Sequence, residues 1–173
     1  MRFAILCLVL LLASISTLAQ EPTGLRMLGD LAGTWRGTSS GEPGEGKVER
    51  DCTWILRERF LQCTNRATYP PTEKKPKGEI HEDVAIFSYD KGRKAIRLRQ
   101  FHVEGFVNDY VATHSEPGIR HVFTSEAIEN IPAGWQARET YDLKVDSWSE
   151  TFELAPPGGE LAVYSKVTLA RVK

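Results

Sequence analysis

Signatures of chemistry are what this sequence has least of. It contains no nucleophile elbow, no glycine-rich phosphate loop and no Cys/His zinc pattern. Its four histidines, His81, His102, His114 and His121, include no pair at the i, i+4 spacing of a helical metal site and no His-x-Glu-x-His run. Charge of one sign is also missing: 22 basic residues stand against 23 acidic ones, and no segment gathers the basic ones. A nucleic-acid or anionic-membrane surface is therefore not indicated. The three asparagines, Asn65, Asn108 and Asn130, begin no N-x-Ser/Thr sequon, which fits a bacterial exported protein.

Long apolar runs are absent but for one. Residues 4–13 (AILCLVLLLA) follow Arg2, and Thr17-Leu18-Ala19 puts small residues at the −3 and −1 positions of a cleavage site. This is the layout of a secretory signal, residues 1–19, with an apolar run too short to span a bilayer. Cys7 lies inside that run and not at the cleavage point, so no lipid anchor is expected. The mature chain, residues 20–173, suits one domain and has no further membrane span.

Two cysteines remain, Cys52 and Cys63. Residues 48–55 and 59–68 read as a hairpin turning near Arg57-Glu58, which sets the cysteines directly opposite each other. Arg57-Glu58 lacks the Asn-Gly chemistry of a two-residue turn, so a four-residue loop on a type I turn is expected. That loop makes the cysteines a non-hydrogen-bonded pair, where side chains approach closest. Export lets a disulfide persist, and a wide or bulged register would leave two reduced core cysteines instead; both readings stand.

The rest of the chain is patterned for strands. Leu25, Leu28 and Leu31 recur at intervals of three, a short helical turn able to lid one end of a barrel. From Gly33 the period is two, in ten runs: 34–39, 48–55, 59–68, 82–89, 95–103, 106–113, 119–128, 135–144, 147–154 and 161–170. Turn signals such as Asp90-Lys91-Gly92, Glu116-Pro117-Gly118 and Pro156-Pro157-Gly158-Gly159 separate them, and residues 69–79 form one long solvated loop. Many strands on short connections predict an all-β, closed, antiparallel up-and-down barrel of about ten strands. On the last run, Leu161, Val163, Val167 and Leu169 are expected to point together.

Alternation also nominates an interior. With Arg97 and Arg99 outside, Ile96, Leu98, Gln100 and His102 face inward. Glu150 shares the apolar side of Trp148 and Phe152, and Glu139 that of Trp135 and Tyr141; Asn108 and Tyr110 are placed near them. Inward polar groups must be satisfied by partners, water or a ligand. They line a cavity for one small ligand, or they form a buried hydrogen-bond network; both readings stand. His102 with Glu139 and Glu150 is the one set from which acid–base catalysis could be assembled, and no catalytic residue is assigned. Arg50, Arg66 and Arg138 lie on strands and could grip a carboxylate, although exposed strand arginines are the commoner case. Trp35 is expected to plug the barrel floor.

Gly33-Thr34-Trp35 after the leucine turn resembles the opening of lipocalin-like and nitrobindin-like barrels, and the ten-strand count resembles the nitrobindin and fatty-acid-binding branches. Leu98-Arg99-Gln100-Phe101-His102-Val103-Glu104-Gly105-Phe106 and Glu129-Asn130-Ile131-Pro132-Ala133-Gly134-Trp135 are similar to segments of exported bacterial barrels of unassigned function. The resemblance implies an interior that holds a small molecule. Nitrobindin-like members hold heme through a late histidine; none follows His121 here, which leaves His102 or His121 as heme candidates. The arginine–tyrosine grip of fatty-acid-binding barrels has an echo in Arg138 and Tyr141.

The leading expectation is an exported barrel that binds a small hydrophobic or amphiphilic molecule, with Gln100, His102, Tyr110, Arg138, Tyr141 and Glu150 as candidate cavity residues and no metal or cofactor required. A heme protein acting on nitrogen oxides or peroxide is the second. A barrel whose loops serve a protein partner is the third.

Overall fold

The computed structural model describes residues 24–173; the expected signal segment lies outside them. Ten antiparallel strands follow a short 3₁₀ helix, Gly24–Leu31. They are β1 (Gly33–Gly41), β2 (Gly46–Ile55), β3 (Phe60–Tyr69), β4 (Glu79–Asp90), β5 (Ala95–His102), β6 (Val107–Glu116), β7 (Arg120–Glu129), β8 (Gln136–Lys144), β9 (Ser147–Ala155) and β10 (Ala162–Arg171). Each pairs with its sequence neighbours, and β10 returns to pair with β1, so the sheet closes. Closure removes the edges that strands of this apolar content would otherwise expose. Where β1 meets β10 the backbones come so near that a Cβ on Gly37 would lie 1.8 Å from the Thr168 carbonyl oxygen, so only glycine fits.

One end of the barrel is filled. Leu25, Leu28 and Leu31 of the helix pack beside Trp35, and the Trp35 Nε1–H donates to the Leu31 carbonyl at 2.9 Å. Trp35 meets Trp148 edge-on at 5.6 Å, and Phe87, Leu98 and Phe123 fill the next layer. Fully burying side chains of this size stabilises by roughly 1.5–3 kcal/mol each, which makes the helix and strand floor one packed unit.

The β2–β3 register pairs Cys52 with Cys63, and the two are joined as a disulfide with Cα atoms 4.0 Å apart. The loop between them is not the expected type I turn. Leu56, Arg57 and Glu58 have φ of 50°, 59° and 61°, three successive left-handed residues, and the Arg59 N–H reaches back to the Ile55 carbonyl. Each non-glycine residue there costs about 1–2 kcal/mol; the disulfide and the nine-pair β2–β3 ladder hold the loop in place.

Alternation along β10 is broken as well. The β9–β10 register shifts between Val163 and Ser165, so Val163 points outward and is 51% exposed, while Val167 and Leu169 face in. A bulge inserts one residue and reverses the facing beyond it, which corrects the expectation that Val163 shares the side of Leu169.

Candidate functional site

Because odd-numbered strands run from the filled end to the open end and even-numbered ones run back, the depth of each inward residue follows from its place in its strand. Midway along the barrel these places coincide in a polar layer. Arg50 comes from β2, Asn65 from β3 and Asp83 from β4. Gln100 comes from β5, Asn108 from β6, Glu139 from β8 and Glu150 from β9. The register sets Arg50 opposite Asn65, Asn65 opposite Asp83, and Gln100 opposite Asn108, and a hydrogen bond from Gln100 to Asp83 joins the two groups.

Arg50 is the hub. Its two terminal nitrogens donate to the two Glu150 oxygens at 2.5 and 3.3 Å, and its Nε donates to Asn65 Oδ1 at 3.1 Å. The guanidinium lies 4.5 Å from the centre of the Trp148 ring. Burial works against this charge, but the Glu150 carboxylate holds it, and the Arg50 pKa is raised above its ordinary value. Asp83 accepts from Asn65 Nδ2 at 2.9 Å and Gln100 Nε2 at 3.1 Å. Burial raises its pKa, opposed by Arg50 and by those two hydrogen bonds.

Glu139 carries the largest imbalance. Burial, then the Glu150 charge, pushes its carboxyl pKa well above the usual range. Among the described residues, Glu139 Oε2 and Gln100 Oε1 are buried and have no hydrogen-bond partner. Tyr141 and Tyr110 lie just beneath. Tyr141 packs against Trp148 and Phe123 at 5.0 and 5.4 Å, and the Tyr110 hydroxyl accepts from Asn108 Nδ2 at 2.8 Å. Both phenols are pushed above their ordinary pKa, first by burial and then by Glu139.

Above the polar layer the barrel is not filled. A cavity of about 460 Å³ opens at the end away from the helix, inside the range of small-molecule sites. Its walls carry the apolar side chains of Val48, Phe106, Ile128, Phe152, Leu154 and Val167, its rim carries Glu42, Lys75, Glu79 and Glu104, and its floor is the polar layer. At the rim stand His81 and His102. Their rings lie 5.4 Å apart, and His102 stacks on Phe106 at 4.0 Å. Burial, then the neighbouring His81, lowers the His102 pKa to about 4.

The structure brings Gln100, His102 and Glu150 together on the cavity wall and sets Tyr110 and Tyr141 beneath its floor. Arg138 is not among them. Its parity on β8 is opposite to that of Glu139, so it points outward and pairs with Glu153 at 2.5 and 2.6 Å. An arginine–tyrosine grip made with Tyr141 is therefore ruled out. Arg66 is likewise external, bonded to Glu82. His121 is fully buried at the filled end, with Nδ1 2.7 Å from the Ser115 hydroxyl, and contributes nothing to the cavity wall.

Sequence reasoning names Arg50 only as one of three strand arginines able to grip a carboxylate, and misses Asn65, Asp83 and His81. The signal was available: Cys52 and Cys63 face inward, and alternation from them carries Arg50, Asn65 and Ala67 inward too. The β3–β4 register then places Asp83 and His81 on the same face.

No family model matches this chain, and no curated protein matches it. Among solved structures it is similar to Rv2717c from M. tuberculosis, at a TM-score of 0.68 and 18% identity over 86% of this chain and 97% of that one. A likeness at that identity shows the barrel fold and nothing finer.

Proposed function

We propose that the protein is an exported barrel that binds one small amphiphilic molecule, apolar tail toward the mouth and polar head on the layer around Arg50. The carrying observation is a cavity with apolar side chains on its walls above a floor holding buried polar atoms that lack partners. The disulfide supports an oxidising compartment.

The floor favours a particular head group. Arg50 is already held bidentately by Glu150, and Asp83 and Glu139 bring further carboxyls, so a second carboxylate would enter without a free cation. Gln100 Oε1 and Glu139 Oε2 suit a head that donates hydrogen bonds, such as an alcohol, an amide or an amine. This departs from the fatty-acid-type grip that the family resemblance implied.

Native mass spectrometry of the protein as isolated is expected to show a bound small molecule that organic extraction removes. Extracted protein should then bind a fluorescent long-chain amine or alcohol more tightly than the matching fatty acid. Val167→Trp, which fills the cavity, should abolish both. Extracted protein that binds none of these probes, or Val167→Trp binding as the parent does, would overturn the reading.

A further inference from the structure

Where the polar floor meets the rim of the cavity, Asp83 stands with two histidines in a cluster whose joint chemistry the amphiphile reading does not use. His81 and Asp83 sit two apart on β4, hence on one face, and the β4–β5 register sets Asp83 directly opposite His102. His81 Nε2 is 3.4 Å from His102 Nδ1 and 3.7 Å from Asp83 Oδ2, and the three residues each offer a ligand atom within 4.8 Å of those of the other two. Two ligand atoms at about 2.0–2.1 Å from a tetrahedral zinc ion are roughly 3.4 Å apart, so two edges of the triangle already have the dimension of a coordination polyhedron.

We propose that His81 Nε2, His102 Nδ1 and Asp83 Oδ2 bind a single divalent first-row transition metal ion at the mouth of the barrel, with its remaining positions open to the cavity. Two imidazoles and one carboxylate are a donor set for such ions and a poor one for calcium or magnesium, which prefer oxygen.

The surroundings fit the same assignment. A metal-bound imidazole ordinarily donates its other N–H to a fixed acceptor. His81 Nδ1 lies 2.8 Å from the Glu104 carboxylate, the carboxylate–histidine arrangement that orients such a ligand. Asp83 is fixed through Gln100 and Asn65. His102 Nε2 lies 3.3 Å from the Asn108 amide. A half-turn of that amide lets Asn108 Oδ1, buried and without a partner as it stands, accept from both the His102 Nε2–H and the Tyr110 hydroxyl. The rings of His81 and His102 are only half-buried, so each can turn to draw in the third edge.

The site closes only through tertiary pairing. Twenty-one residues separate the two histidines, and Asp83 follows His81 by two in a His-x-Asp run unlike any helical metal motif.

The proposal is tested without any amphiphile, so it stands or falls apart from the cavity reading. Full-length mature protein, stripped with a chelator, is titrated with Zn²⁺ by calorimetry and with Co²⁺ by visible absorption. One equivalent should bind, the Co²⁺ spectrum should have the intensity of a low-coordinate site with nitrogen ligands, and the melting temperature should rise with free metal. His102→Gln and Asp83→Asn should each weaken binding by about 100-fold or more, and Glu104→Gln by about 10-fold. His114→Gln, at an exposed histidine on the outer surface, should bind as the parent does. Circular dichroism of the stripped variants reports whether each is folded. No stoichiometric binding to the parent protein would overturn the site, as would folded His102→Gln or Asp83→Asn that binds undiminished. His81→Ala, at a half-exposed position, supplies the deciding measurement if neither of those two folds.

Discussion

Below the Arg50–Glu150 layer the barrel interior is filled with hydrocarbon and aromatic rings; above it the same ten strands enclose space. The lower half takes Leu, Trp and Phe at inward positions and caps them with a helix. The upper half takes Ser39, Val48, Ala67 and Val167, together with polar side chains that hold one another at fixed positions. Stability is thus concentrated below the layer, and the proposed binding would be concentrated above it. Changes below should register as unfolding free energy with little specificity, and changes above as binding with smaller losses of stability.

The largest effect is expected in the lower half. Trp35→Ala should cost about 3–5 kcal/mol of unfolding free energy in urea titration, near the top of that range because the Leu31 carbonyl also loses its donor. A loss below about 1 kcal/mol would mean that the plug is not a stability element.

Next is the layer between the halves. Glu150→Gln leaves Arg50 buried without its counter-ion and should cost about 3 kcal/mol. The double replacement Arg50→Met, Glu150→Leu should recover most of that loss, because a buried ion pair exchanged for apolar residues of similar size is often neutral. The double variant should at the same time lose head-group preference in amphiphile binding. Recovery of stability with binding preserved would break the division of labour.

The filled end and the polar layer should also titrate in opposite directions. His121, buried at the filled end, has its pKa lowered from 6.5 to about 4, chiefly by burial. Its contribution to stability is complete above about pH 6.5 and is lost as pH falls through 4. Glu139, in the polar layer, has its pKa raised well above 4.5, chiefly by burial. Its contribution is complete below about pH 4.5 and is lost as pH rises toward the raised value. Urea midpoints measured from about pH 4 to about pH 8 should therefore show His121→Gln losing less than the parent on acidification, and Glu139→Gln losing less on the alkaline side. Equal slopes for both variants would show that neither group is held neutral.

The smallest effect is expected outside both halves. Arg138→Ala breaks an ion pair with Glu153 at the barrel surface and should change stability by less than about 1 kcal/mol, with probe binding untouched.

The barrel was legible in the sequence because a period of two sustained over ten runs has few other solutions, and because short turns force neighbours to pair. The inward facing of Gln100, His102 and Glu150 followed from the same arithmetic. Arg138 did not, since it was nominated by residue type beside Tyr141 when its odd–even relation to Glu139 already placed it outside. Val163 was misplaced for a different reason: no local feature announces the bulge, which arises from fitting β10 between β9 and β1. The three left-handed residues at Leu56–Glu58 were equally hidden, because nothing in Leu-Arg-Glu favours that conformation and only the cross-linked ladder imposes it. The His81–Asp83–His102 group could not be read as a motif, because its members meet only through the register of two strands joined by a turn.

The even strand count has a practical consequence. β10 ends where β1 begins, with Val172 bonded to the Thr34 carbonyl, so the last residues leave from the base, opposite the aperture. A linker joined at Lys173 would hold the molecule on a chip or bead with its opening turned toward the bulk liquid, where the proposed binding can be measured without steric shadow from the support.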